Sequence, residues 1–190
     1  AERHFDLLAA RSPLLHLRAE AEAWRADVGT MQALAHALTD PGRRVEALLQ
    51  QAEFLEKSAS EYDAARQAAE QALALAREHG LAGAQARAWR TIGTAWKQQG
   101  QSAAALEAYR RAIEAQEASS GAEIDVYAGL VMTYRDMGRL DEAQEAARTA
   151  LEKAQARGDP LVAARLHNAM AWIARAQGDH RAEAEHCRAM

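Results

Sequence analysis

The sequence repeats a pattern of small and large apolar residues about every 40 positions. The repeated turn position is occupied by Ser60, Gly100, Gly138 and Gly178, at spacings of 40, 38 and 40 residues. Apolar residues at helical spacing precede and follow each turn. Because one pair of helices cannot cover its own apolar face, such pairs stack on one another. The sequence therefore predicts an all-α protein of stacked antiparallel helix pairs.

The most regular unit begins at Trp89. Its anchor residues are small where two helices would cross and large where space must be filled, and they are Trp89, Ile92, Gly93, Trp96, Gly100, Ala105, Tyr109 and Ala112. This arrangement resembles the tetratricopeptide repeat (TPR) family. The resemblance implies a right-handed superhelical α-solenoid. Units of 38–40 residues exceed the family's usual length of about 34 and are similar to those of bacterial signalling and transcription regulators.

One repeat domain is predicted over residues 1–190. Its units are a degenerate N-terminal unit over 1–42 and repeats over 43–80, 81–120, 121–158 and 159–190, the last one incomplete. The first helices of the repeats are predicted over 43–58, 83–99, 122–137 and 161–177. The second helices are predicted over 61–79, 102–118, 140–157 and 180–190. Between the units, turns are predicted at Asp40-Pro41-Gly42, His79-Gly80, Ser119-Ser120-Gly121 and Gly158-Asp159-Pro160.

The two ends of the chain depart from this regular pattern. Residues 14–38 are predicted to form one helix that Pro13 opens and Gly29 interrupts, and residues 1–11 a loose leader or a short helix. The chain starts at Ala1, which is consistent with a piece of a longer protein. Since repeat arrays usually need a polar capping helix, we expect that the chain continues past Met190 or that this end packs on another molecule, for example in a homodimer.

Composition limits the classes of function. The net charge of −4 does not favour direct nucleic-acid binding, because proteins of that class are usually strongly basic. The apolar runs are too short to cross a membrane, and the single cysteine, Cys187, is consistent with a reducing compartment. We therefore expect a cytoplasmic protein whose partners are other proteins or peptides.

The resemblance also implies a binding groove, because the first helix of each TPR pair lines a concave face that holds the partner. It places a set of side chains on that face, namely Phe54, Lys57, Arg87, Arg90, Thr94, Lys97, Met132, Arg135, Arg165, Asn168, Trp172 and Arg175, with Gln50, Gln98, Asp125, Ala128 and Asp136 beside them. Seven are basic and two acidic, which suits an acidic peptide or another anionic ligand. A groove for a partner without an acidic preference and a solvated face without a ligand remain alternatives.

No catalytic or cofactor motif is present, so we expect neither an enzyme nor a cofactor. His180, Glu183 and Cys187 share one helix face with His186 adjacent, but without a second group of ligands we expect solvated polar side chains and no metal site. The leading hypothesis is a protein–protein interaction module within a larger regulatory protein. The alternative is a ligand-sensing domain of a signalling or transcription regulator that binds a small molecule or signalling peptide.

Overall fold

A computed structural model describes residues 1–117 and 125–189. Its helices are α1 (Glu2–Leu17), α2 (Ala21–Leu38), α3 (Pro41–Phe54), α4 (Tyr62–Glu78), α5 (Ala82–Gln98), α6 (Ser102–Glu117), α7 (Asp125–Asp136), α8 (Leu140–Arg157), α9 (Pro160–Gln177) and α10 (His180–Arg188). A short π-helix, the π turn (Leu55–Ala59), continues α3. Neighbouring helices pack in pairs, and this part of the chain contains no strand. The predicted all-α solenoid is confirmed.

The two helices of each pair are separated at the turn positions that the sequence indicates. Ser60, Gly100, Gly138 and Gly178 all have positive φ, from 55° to 78°. At Gly178 this left-handed conformation lets the backbone N–H bond back to the last turn of α9, which ends the helix without a Cβ clash. Asp159 and Asp179 then cap the following helices. The predicted turn Ser119-Ser120-Gly121 lies outside the described residues.

The N-terminal pair differs from the prediction. α1 begins at Glu2 and contains Pro13, and α2 runs without interruption through Gly29. Residues 1–11 are therefore helical, the second of the two alternatives, but within a helix that runs to Leu17, and residues 14–38 do not form a single helix. Packing outweighs the local helix breakers, because α1 buries Phe5 and Leu15 against the following helices. A carboxylate also supports this pair, since Asp27 is almost fully buried and accepts hydrogen bonds from Arg11.

Two layers of helices result from the stacking. Each of α1, α3, α5, α7 and α9 contacts the next member of that series as well as its own partner helix. The other helices lie behind this layer, and buried alanines such as Ala72 and Ala147 allow the close crossings between the layers. The exposed side of α3, α5, α7 and α9, here named the A-helix face, is where the predicted groove residues are expected. None of the described helices is both long and apolar enough to span a lipid bilayer.

Candidate functional site on the A-helix face

The A-helix face has two parts with different chemistry. Near its N-terminal end, α3, the π turn and α5 hold a group of charged side chains, here named the ionic cluster: Glu46, Glu53, Glu56, Arg87 and Arg90. Near its C-terminal end, α7 and α9 enclose a pocket of about 300 Å³, here named the α7–α9 pocket. Of the predicted groove residues, Arg87 and Arg90 belong to the ionic cluster, and Met132, Arg135, Arg165, Asn168 and Trp172 line the pocket.

The arginines of the ionic cluster form ion pairs with carboxylates of the same chain. Arg87 Nη1 lies 2.7 Å from Glu46 Oε2, and Arg87 Nη2 lies 3.0 Å from Glu53 Oε1. Arg90 is buried, with Nη1 3.5 Å from Glu56 Oε1 and Nη2 3.6 Å from Glu53 Oε1. Both predicted groove arginines therefore join α5 to α3 and the π turn. Since a buried charge that loses its partner is costly, these cations are poorly placed to leave their carboxylates for a ligand.

The π turn shifts the helical register of α3 relative to Ser60, and this shift decides which carboxylates of the cluster face α5. The π turn places one more residue between α3 and the turn at Ser60 than an α-helix would, because its hydrogen bonds span five residues. Counting back from Ser60 with α-helical spacing selects Phe54, but Glu53 is the residue that faces Arg87. Phe54 is buried instead and meets the ring of Trp24 edge-on, with centroids 5.5 Å apart. The predicted position of Phe54 in the groove is therefore corrected.

Burial and charge act differently on two carboxylates of the cluster. Burial by itself favours the protonated form of Glu53, but the charges of Arg87, Arg90 and Lys57 outweigh it and lower the pKa. In Glu56 burial dominates, and the pKa is raised despite Arg90. Glu56 Oε2 is also buried without a hydrogen-bond partner. In Glu53 the neighbouring cations thus outweigh the cost of burying the carboxylate charge, and in Glu56 they do not.

Four more predicted residues also make internal contacts. Lys57 Nζ lies 3.9 Å from Glu53 Oε2, and Lys97 Nζ lies 3.6 Å from Asp136 Oδ2. Thr94 donates to the Arg90 carbonyl and accepts from the Tyr109 hydroxyl. Arg175 Nε donates to Glu183 Oε1 of α10 over 2.6 Å. These contacts reduce the basic character that the sequence suggests for the whole face.

The α7–α9 pocket brings together the remaining predicted residues. Met132, Arg135, Arg165, Asn168 and Trp172 line it, and Val131, Val162 and Leu166 add apolar surface. Trp172 is 54% exposed and Met132 40% exposed, which is unusual for large apolar side chains. The side chain of the further expected residue, Asp125, lies outside the described part of the structure. The pocket therefore exposes part of an apolar surface to solvent.

Cations border this apolar surface. Arg165 is exposed, and among the side chains that the structure describes no carboxylate pairs with it. Arg135 shares the pocket but is paired with Asp136 over 2.7 Å. The guanidinium of Arg175 lies 4.9 Å from the centroid of the Trp172 ring, which orients that ring beside the pocket. An apolar side chain next to a carboxylate would complement both features.

The sequence analysis did not identify the carboxylates that neutralise the arginines of the ionic cluster, or the apolar residues that line the α7–α9 pocket. Glu53 and Glu56 each lie one residue before a position that counting back from Ser60 selects, Phe54 or Lys57. Val162 and Leu166 line the pocket although the repeat spacing does not assign them to the groove, whereas it does assign Arg165 and Asn168.

Comparison with known families agrees with this architecture. The sequence model of the tetratricopeptide repeat matches residues 86–119 and 124–155, which correspond to α5 with α6 and to α7 with α8. These segments contain the Trp89 pattern and the following unit. No curated protein shows significant sequence similarity to the chain.

Solved structures with this fold extend the similarity over nearly the whole chain. BtubC (BKLC) from P. vanneervenii has 22% identity and a TM-score of 0.74, over 97% of this chain and 76% of that one. A putative kinesin light chain with TPR-like repeats from Podosopora anserina has 15% identity and a TM-score of 0.66, over 99% and 92%. MamA from Desulfovibrio magneticus RS-1 (41-end) has 19% identity and a TM-score of 0.63, over 97% and 92%. At these identities the similarity concerns the fold. With the stacked helix pairs, it shows a TPR-like helical solenoid in which residues 86–119 and 124–155 match the tetratricopeptide repeat.

Proposed function

We propose that this chain is a protein-interaction module that holds an extended acidic segment of a partner protein in the α7–α9 pocket. Tetratricopeptide repeats typically serve as non-enzymatic scaffolds that bind other proteins. The observation that carries the proposal is the exposed Arg165 beside the exposed ring of Trp172. A role within a larger cytoplasmic regulatory protein, as expected from the family resemblance, stays a prediction.

The size and chemistry of the pocket support a peptide segment as the occupant. A volume of about 300 Å³ accommodates one or two side chains and is at the lower end of small-molecule sites. Its apolar surface can cover an aliphatic or aromatic side chain, and a guanidinium can hold a carboxylate through two parallel hydrogen bonds. The segment proposed therefore carries an acidic residue next to an apolar one.

The ionic cluster limits where the partner can bind. Arg87 and Arg90 are paired with carboxylates, so that the N-terminal half of the A-helix face has little free positive charge. Substitution of Arg90 by glutamate would place a third carboxylate beside Glu53 and Glu56 and would disturb the fold. Arg165 alone is therefore the informative position for a charge reversal.

The test measures binding of labelled acidic-apolar peptides by fluorescence anisotropy, using a peptide selected from a library against the intact chain. Arg165→Glu should weaken binding about tenfold or more, and Trp172→Ala should weaken it comparably. Arg148→Glu, with the same charge change at an exposed site of α8, is the matched control and should change Kd less than twofold. Affinity should also decrease at higher salt.

Equal binding by the wild type, Arg165→Glu and Trp172→Ala would contradict the proposed site. The ligand-sensing alternative makes a different prediction in the same experiment. Small anionic metabolites would then stabilise the chain against heat while no peptide bound, and the stabilisation would disappear in Arg165→Glu. That result would replace the peptide by a small molecule as the occupant of the pocket.

A further inference from the structure

A cavity of about 450 Å³ lies between α2 and α4, over α3, and is here named the α2–α4 cavity. Its volume falls within the range of pockets that bind small molecules and exceeds that of the α7–α9 pocket. Because α2 and α4 belong to the layer behind the A-helix face, the two cavities are separate. Buried and half-buried apolar side chains line its inner part, and exposed polar side chains border its opening; the apolar ones are Ala35, Ala47, Leu48 and Leu75, and the polar ones His36, Arg44 and Gln71.

The corresponding positions in the next two units hold aromatic rings. Trp89 and Tyr127 each lie eleven residues before the glycine at the turn of their own helix pair. The Trp89 ring lies between α4 and α6, since the Cζ atoms of Arg77 and Arg111 are 5.2 Å and 5.0 Å from its centroid. In the unit of α3 and α4, with the extra residue of the π turn, the corresponding residue is Leu48. A leucine fills less space than an indole ring, so that the space between α2 and α4 stays open.

Arg44 supplies an available positive charge at this cavity. The neighbouring Arg43 is engaged, because its guanidinium pairs with Glu2 and Asp6. Arg44 is exposed, and no carboxylate in the described ranges 1–117 and 125–189 pairs with it. A guanidinium can hold a carboxylate through two parallel hydrogen bonds, and the imidazole of His36 on α2 can donate a further one. The opening of the cavity therefore suits an anion, and its inner part suits an apolar group.

We propose that the α2–α4 cavity binds a small aromatic carboxylate, with its ring against Leu48 and Leu75 and its carboxylate at Arg44. The ring would occupy the place beside α3 that the Trp89 side chain occupies beside α5. Burial of the ring removes apolar surface from water and supplies affinity, and the charge at Arg44 fixes the orientation. A cation with the same ring would be repelled at the opening. This site does not depend on peptide binding at the α7–α9 pocket.

The test is an NMR titration of the intact chain with indoleacetate, with tryptamine, which has the same ring and the opposite charge, as the control ligand. We expect one site per chain with a Kd of about 1 mM or below for the acid, and binding of the amine that is weaker by about tenfold or more. Arg44→Gln should weaken binding of the acid about tenfold. Leu48→Trp should abolish binding and maintain or raise the Tm, because the introduced ring fills the cavity.

Control variants separate this site from the rest of the surface. Arg148→Gln, with the same charge change at an exposed site of α8, should bind the acid as the wild type does. Arg44→Gln changes an exposed side chain and preserves the test if Leu48→Trp folds poorly. Unchanged binding of the acid by Arg44→Gln or by folded Leu48→Trp, or equal binding of acid and amine, would overturn the assignment. Loss of binding in Arg165→Glu would also overturn it, because the acid would then occupy the α7–α9 pocket.

Discussion

The ring of Tyr109 packs directly against the backbone of Gly129, although these residues belong to different repeat units. A Cβ on Gly129 would lie 2.5 Å from Tyr109 Cζ, and a Cβ on Gly93, in the unit of Tyr109 itself, would lie 2.7 Å from Cε1. Tyr109 is 1% exposed, so its ring has no room to withdraw. Two glycines therefore form the space that one aromatic ring of α6 fills between α5 and α7.

The first prediction concerns this contact. Gly129→Ala and Gly93→Ala should each lower the free energy of unfolding by about 1–3 kcal/mol, because an added methyl group overpacks a closed site. Urea denaturation followed by circular dichroism measures the change. Gly29→Ala is the matched control, since a Cβ there meets no atom within 4 Å and α2 continues through it. That control should raise stability by about 0.5–1 kcal/mol. Equal effects at Gly29 and Gly129 would contradict the packing argument.

The second prediction concerns Glu53 and pH. Its folded pKa is lowered, so its contribution to stability is present above its unfolded pKa of about 4.3 and is lost as pH falls through the folded value. Glu53→Gln should therefore destabilise the chain at pH 7 by about 1–3 kcal/mol, because Arg87 and Arg90 lose a shared partner. The difference between wild type and variant should shrink as the pH is lowered from 5 toward 3. Urea midpoints across this pH range provide the measurement, and a pH-independent difference would argue against the charge effect.

The third prediction concerns Glu56, whose ionisation should lower the stability of the fold, whereas that of Glu53 should raise it. The folded pKa of Glu56 is raised, so its ionised form weakens the fold as pH rises through its unfolded value. Glu56→Gln removes a buried charge whose Oε2 has no hydrogen-bond partner. We expect this variant to be at least as stable as the wild type at pH 7, and to lose that advantage at pH 4. A loss of stability at pH 7 similar to that of Glu53→Gln would show that the ion pair with Arg90 outweighs the cost of burial.

The fourth prediction compares two tryptophans. Trp24 is 2% exposed and packs with Phe54, whereas Trp172 is 54% exposed beside the α7–α9 pocket. Trp24→Ala should cost about 3–5 kcal/mol of stability, as large-to-small changes in cores do. Trp172→Ala should cost less than about 1 kcal/mol. Thermal and urea denaturation of both variants checks this. A large loss in Trp172→Ala would identify Trp172 as a structural residue and would weaken its assignment to a binding site.

The sequence predicts the helix pairs well because their signals are local. Gly100, Gly138 and Gly178 end helices through their own backbone preference, and small residues at crossings are visible in the pattern. The sequence left a loose leader and a short helix open for residues 1–11, because α1 is stabilised by burial of Phe5 and Leu15 against other helices, which no local pattern around Pro13 reveals. Tertiary packing outweighed helix-breaking residues there.

The groove was predicted less well because it depends on helix register and on pairing between helices. The extra residue of the π turn rotates α3 relative to its turn, so that Glu53 replaces Phe54 on the A-helix face. Pairing of Arg87 and Arg90 with carboxylates follows from that rotation. In α7 and α9, which have no such turn, Met132, Arg165 and Trp172 line a common pocket as the family spacing implies. Binding at that pocket stays a prediction.

The ionic cluster also has a mechanical consequence. The largely buried ion pairs between α3 and α5 are screened little by salt, so they hold these two helices together over a range of ionic strength. The ring of Tyr109, seated against Gly93 and Gly129, holds α5 and α7 by shape and is insensitive to salt. We therefore expect the positions of α3, α5 and α7 relative to one another to change little with salt concentration. A decrease of peptide affinity at high salt would then report on the charges of the recognition surface and its ligand, because the scaffold beneath that surface keeps its shape.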